Sequence, residues 1–215
     1  QQIVAAGANS DSQNKFATGL NLGSGVSLQG TSKINTQGTL QETGNALDMA
    51  IEGSGYFQVQ QADGSTAYTR AGNFSVTAEG TVVTSDGLPL IPQITVPQGA
   101  TSVTVGNDGT VSATLQGESE PTQLGQIELA SFMNPAGLQS IGGNLLVETA
   151  ASGTPQVGTA GLEGRGLIRS GNLETSNVNI VEELVDMIET QRAYEVNSKM
   201  IKATDEMLQY ANQNM

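Results

Sequence analysis

Four sets of residues in this 215-residue chain have types and spacings that could do chemistry. Gly53-Ser54-Gly55 has the opening of a dinucleotide-binding loop, where glycines let the backbone approach a pyrophosphate. The third glycine and the helix that should follow are missing, and a turn or bulge before a strand at Tyr56–Val59 explains the same residues. Glu118 and Glu120 could share acid and base duties. They lie in a polar stretch before Pro121 and read as two solvated loop acids. Asn107-Asp108-Gly109 offers the hard oxygen ligands that calcium takes. The twelve-residue loop of a calcium hand is absent, and a hairpin accounts for the triplet. Arg70 is the sole basic residue between Lys33 and Arg165, and it is expected to pair with a carboxylate, in its own domain or across a contact.

The missing residue types narrow the chemistry further. There is no His, Cys or Trp. The soft ligands of zinc, copper and iron–sulfur sites are therefore absent. So are nucleophile systems that depend on an imidazole base. No catalytic, cofactor-binding or metal-binding set emerges, so neither an enzyme nor a cofactor nor a small-molecule substrate is expected. The net charge of −13 argues against nucleic acid and against anionic membrane surfaces. Leu, Ile, Val and Phe make up 49 of the 215 residues, which is just above the level of about 20% where chains tend to stay disordered. Gly supplies 27 more. The chain is lean in core and rich in turns. It starts Gln1-Gln2-Ile3-Val4, neither a Met nor a signal peptide, so a fragment or processed form is expected.

The elements that must position any site fall into three zones. Residues 1–46 are rich in Gln, Asn, Ser, Thr and Gly and carry no net charge. They read as an extended polar leader, ordered only against something else. Residues 47–172 alternate apolar and polar positions at Leu47, Met49 and Ile51, at Val103 and Val105, at Val111, Ala113 and Leu115, and at Ile127 and Leu129. Asp63-Gly64, Glu79-Gly80, Asp86-Gly87 and Asp108-Gly109 supply the positive φ that tight hairpins need. This zone is an irregular antiparallel β domain. Pro89, Pro92 and Pro97 mark an edge or crossing segment within it.

Residues 173–215 change to helix. Asn179, with Glu182 three residues later, reads as an N-terminal cap, and Ile180 to Met215 as one helix of about 54 Å. Ile180, Met187, Tyr194, Ile201 and Leu208 repeat every seven residues, with Leu184 at the alternate seam position. A sustained seven-residue repeat points to a coiled-coil seam. Gln191, Ser198 and Asp205 interrupt its other row, while Glu195–Lys199 and Lys202–Glu206 are spaced as ion pairs on the remaining surface. No second segment matches this helix. It either docks on its own β domain or meets a partner elsewhere, and the heptad spacing favours the partner. The fold class is mainly β with a long C-terminal, coiled-coil-type α-helix.

Four stretches, read together, resemble the bacterial flagellar rod and hook family. They are residues 173–209, with Ser176-Asn177-Val178-Asn179 leading into the helix and Gln191-Arg192-Ala193-Tyr194-Glu195 within it, and residues 47–59, 68–92 and 131–149. The length and ending are most similar to the distal rod branch. Hook members carry large extra β domains for which this chain has no room. Residues 1–30 resemble the extended segment that the distal branch has and the proximal branch shortens or lacks. Proximal rod and hook-type axial subunits are the alternatives, and a secreted acidic β-rich binding module is a more remote one. The family's N-terminal helix and the Asn-rich motif after it are missing.

The resemblance implies a self-assembling structural subunit, without enzymatic activity, that stacks helically into a hollow axial tube. Ile180, Leu184, Met187, Tyr194, Ile201 and Leu208 would be subunit-packing residues in its inner coiled-coil layer. The β domain would form the outer layer. The implied partners are other copies of the chain, neighbouring rod and hook proteins and the surrounding ring proteins. The implied location is the periplasm-spanning axis of the basal body, reached through the flagellar type III export apparatus, and the implied task is torque transmission.

Overall fold

The computed structural model describes residues 34–117 and 120–213, together with the strands 2–4, 9–11, 14–15 and 20–22. The side chains before residue 34, that of Leu208 and those after Tyr210 lie outside the described residues, as does Glu118. The chain divides into two compact units, 1–34 and 35–215.

In the first unit the strands are β1 (Gln2–Val4), β2 (Asn9–Asp11), β3 (Asn14–Lys15) and β4 (Leu20–Leu22). β1 pairs antiparallel with β4, and β2 with β3.

The second unit opens with β5 (Leu40–Glu42), β6 (Met49–Glu52), β7 (Tyr56–Gln60), β8 (Thr66–Thr69), β9 (Phe74–Val76), β10 (Val82–Thr84) and β11 (Leu90–Ile91). It continues with β12 (Ala100–Val105), β13 (Thr110–Leu115), β14 (Thr122–Gln126), β15 (Glu128–Ser131), β16 (Gln139–Gly142) and β17 (Leu145–Val147). Then come β18 (Gln156–Thr159), β19 (Leu167–Ser170), β20 (Asn172–Glu174) and the helix α1 (Ile180–Gln213). Every strand pair is antiparallel, as the alternation and hairpin turns predict. The glycines of all four acid–Gly turns have φ between +79° and +87°.

The largest sheet runs β16-β17-β8-β7-β15-β18. β15 and β11 share the far edge of β7, β15 opposite Tyr56 and Phe57 and β11 opposite Gln58 and Val59. Because successive side chains point to opposite faces, β7 feeds two cores. Phe57 and Val59 join Met49, Ile51, Ala67, Leu129 and Ile168 in the main one. There Phe57 meets Phe74 edge-on, with ring centroids 5.2 Å apart at 86°. Tyr56 points the other way, where Phe132 packs edge-on against both Tyr56 and Tyr68. The three-stranded sheet β12-β13-β14 adds Val111 to the main core.

Two short ribbons close the unit. β19 pairs with β6 inside the core, and β20 pairs with β5 in the register Asn172↔Glu42, Leu173↔Gln41 and Glu174↔Leu40. The second ribbon leads to α1, whose 34 residues span about 51 Å at 1.5 Å per residue. Asn179 caps it as expected, its side-chain oxygen accepting a hydrogen bond from the Val181 N–H at 3.2 Å.

Candidate functional site

The residues with chemical promise settle into structural roles. Gly53-Ser54-Gly55 is the turn between β6 and β7, with φ of +114° and +141° at its glycines. Glu120 is an exposed loop acid. Asp108 turns its own hairpin, accepting hydrogen bonds from the Thr110 N–H at 3.0 Å and the Thr110 hydroxyl at 2.8 Å. Those two donors hold its carboxyl below the usual carboxylate range. The described residues contain no group of His, Cys, Asp or Glu able to hold a metal ion.

The surface that stands out is α1. Ile180, Leu184, Met187, Tyr194 and Ile201 are 49–78% exposed, with Tyr194 the most open. Docking on its own β domain would cover this stripe, so the structure rejects that arrangement: the helix leaves the β unit with its apolar residues bare. The i,i+4 spacing of Glu195 and Lys199 closes into an ion pair at 2.7 Å, but no ion pair joins Lys202 and Glu206 among the described residues.

A second apolar row was missed by following the seven-residue repeat alone. Ala193, Val196, Met200, Ala203 and Met207 alternate spacings of three and four, as in a coiled-coil seam. At 3.6 residues per turn this row lies roughly 140° round the helix from Tyr194 and Ile201. Val196, Met200 and Met207 are all more than half exposed. The three–four alternation was visible in the sequence. The C-terminal half of α1 thus offers two separate apolar faces, whereas a helix docked on a single partner needs one.

Charge is also divided along the helix. Glu182, Glu183, Asp186 and Glu189 precede the first base of the helix, Arg192, and from there on Arg192, Lys199 and Lys202 are balanced by Glu195, Asp205 and Glu206.

The root of α1 is tied to the β unit by polar side chains. Arg70 donates from Nε to Glu174 Oε2 at 2.8 Å, from Nη1 to the carbonyls of Gly53 and Gly55 at 3.1 Å each, and from Nη2 to the Ile51 carbonyl at 3.2 Å. The expected carboxylate partner of Arg70 is therefore Glu174, in the same unit. Glu174 Oε1 accepts from the Gly38 N–H at 2.9 Å. Gln37 Oε1 accepts from the Gly53 N–H at 3.0 Å, and Asn177 Nδ2 donates to the Thr36 carbonyl at 2.9 Å. Tyr56 lies beneath the guanidinium, 5.9 Å from ring centroid to Cζ. Burial raises the Tyr56 phenol above its ordinary value, against the lowering effect of Arg70.

This architecture, an antiparallel β unit carrying a bare heptad helix, is matched by known proteins at both of its halves. Residues 50–113 match the flagellar hook protein FlgE/F/G D1 domain, and residues 169–214 match the flagellar basal body rod FlgEFG protein C-terminal family. The flagellar basal-body rod protein FlgG of Buchnera aphidicola subsp. Acyrthosiphon pisum is 49% identical over 213 residues, covering 99% of this chain and 82% of the relative. In Caulobacter vibrioides, the rod protein FlgG is 45% identical, covering 99% of this chain and 82% of its own. The rod protein FlgF of the same organism is 37% identical, covering 83% and 69%. The chain belongs to the FlgG family of flagellar basal-body rod proteins, structural components of the flagellar axial structure.

Proposed function

We propose that the chain is a structural subunit of the distal rod, assembling helically with other copies into a hollow shaft that carries motor torque towards the hook. The observation that carries this reading is a 34-residue helix that leaves its β unit with two apolar faces uncovered. Isolated helices are marginal in water, so this one is completed by other helices. Ile180, Leu184, Met187, Tyr194, Ile201 and Leu208 form the seam of the inner layer. The row from Ala193 to Met207 meets a second neighbour.

The domain scheme follows the same logic. Residues 47–172 form the outer β layer and residues 173–215 the inner helix; of the polar leader 1–46, the part before residue 35 lies along adjacent subunits, since β5 pairs with β20 of its own unit. Neighbouring rod and hook proteins and the encircling ring proteins are the remaining partners. The shaft is passive, with no catalysis and no cofactor, and its subunits leave the cell through the type III export apparatus.

The test is assembly of the full-length protein at graded salt. The net charge of −13 on these 215 residues opposes association, and salt screens that repulsion over about 8 Å at physiological strength. Added salt is expected to favour polymerisation in sedimentation, and cryo-EM should show a tube with α1 innermost. Assembly weakened by salt, or α1 on the outside, would reject the reading.

A further inference from the structure

The joint between α1 and the β unit holds a device that the proposed function needs but does not itself specify. The backbone connection is thin. It consists of the three-residue β5–β20 ribbon followed by residues 175–179, which have no regular structure. A two-stranded ribbon alone is weak and twists readily. Torque passing between an outer β layer and an inner helix would be lost as bending at this point.

Side chains brace both parts of this connection: Arg70 and Glu174 hold the ribbon, and from the irregular stretch Thr175 Oγ1 and Asn177 Nδ2 donate to the Thr39 and Thr36 carbonyls. The Glu174 carboxylate is held on one oxygen by Gly38, just before β5, and on the other by Arg70. Arg70 follows directly on β8, whose Tyr68 and Thr69 are buried, so its base is anchored in the folded unit. Its guanidinium reaches four acceptors on β6, on the β6–β7 turn and on β20. The Arg70 and Glu174 side chains are only 24% and 12% exposed, so water competes weakly for the pair. A planar fork suits this job and a lysine ammonium does not, because one point charge cannot address divergent carbonyls at once. A second observation points to the same place. A Cβ at Gly38 would overlap the Thr175 carbonyl, so the strand entering the joint and the strand leaving it are in backbone contact.

We propose that Arg70 and Glu174 are positioning residues that lock the direction of α1 relative to the β unit. This rests on the reading of the chain as a shaft subunit. The lock converts a short paired ribbon into a stiff strut, so rotation imposed on the helix layer is delivered to the β layer.

The experiment is a distance measurement by pulsed electron paramagnetic resonance on the full chain. The protein has no cysteine, so spin labels at Gln123→Cys in the β unit and Gln191→Cys on α1 report without background. The unaltered joint should give a narrow distance distribution. Arg70→Gln and Glu174→Gln should each widen it roughly twofold, as a released hinge does, with Arg70→Lys in between. Amide exchange of β7 and β8 should stay protected throughout. Unchanged widths in both amide variants would overturn the proposal. Should Arg70→Gln unfold the β unit, Glu174→Gln decides alone, since it lies on the outer ribbon.

Assembly separates this inference from the reading beneath it. Lock variants should still form tubes, but tubes that bend more in electron micrographs. Failure of the unaltered full-length chain to assemble would reject the shaft while leaving the width comparison intact.

Discussion

Replacing Tyr194 by Asp should block assembly while leaving the β unit as stable as before. Tyr194 is 78% exposed on α1, so in the isolated chain the substitution is a surface change within about 0.5 kcal/mol. In a seam the same side chain has much to lose. An aromatic residue buries about 150 Å² or more, and the exposed share of that is on the order of 120 Å². At about 25 cal/mol per Å² its burial stabilises a contact by roughly 3 kcal/mol. Each 1.4 kcal/mol is about tenfold in an equilibrium constant, so the critical concentration rises by roughly a hundredfold or more. Desolvating the new carboxylate adds several kcal/mol to that loss. Tyr194→Phe keeps the burial and should assemble within about threefold of the unaltered protein. Met200→Asp tests the second row in the same way, and it should fail as severely if both faces are covered. The assay is sedimentation of the full-length protein across a concentration series, with thermal melting of the monomer beside it. Tubes from Tyr194→Asp at the ordinary concentration would refute the seam. Tubes from Met200→Asp would refute only the second face.

Two further outcomes test the β unit. Phe57 is fully buried against Phe74, so Phe57→Ala should cost about 3–5 kcal/mol and lower the melting temperature by roughly 6–20 °C, read by calorimetry. Burial raises the phenol pKa of both Tyr56 and Tyr68, the nearby charge of Glu148 adding to the effect at Tyr68. The folded state therefore favours the neutral phenols, and their stabilising contribution is complete below the unfolded value of about 10. It is lost as pH rises through the folded values, so alkaline titration should show late tyrosinate absorbance appearing together with unfolding. Ionisation of Tyr56 and Tyr68 at the ordinary value in the folded protein would contradict their burial.

Local chemistry was legible in the sequence wherever one residue type has one physical use. Asp63-Gly64 and Asp108-Gly109 announced their turns because few other pairs accept positive φ there, and both are turns with φ near +86°. Asn179 announced the start of the helix for a similar reason, since its side chain can satisfy a first-turn N–H. Pairing was not legible. β17 lies beside β8 although some 75 residues separate them, with Thr69 donating to the Asn144 carbonyl. Alternation shows that a strand has a buried face, but not which strand it pairs with. The β5–β20 ribbon was hidden more deeply. Its strands are three residues each and mostly polar, and β5 falls in a zone whose composition reads as a leader. Arg70 could be predicted to need a carboxylate, but with acids on every side only the fold could choose Glu174.

The helix shows where a lean composition places its apolar residues. This chain has few large apolar residues and does not hide all of them: α1 displays Ile, Leu, Val, Met and Tyr along its length. The β unit tolerates this because its core is concentrated around Met49, Ile51, Phe57, Val59 and Leu129, none more than 1% exposed, and owes nothing to the helix. On the proposed reading, stability and assembly are carried by separate sets of residues. That separation lets a subunit fold its β unit alone and hold its helix in reserve, and it leaves the joint at Arg70 and Glu174 as the place where the two sets must be coupled. A variant that damages one set should leave the other measurable, and for this reason the seam, core and joint substitutions can be told apart in a single protein.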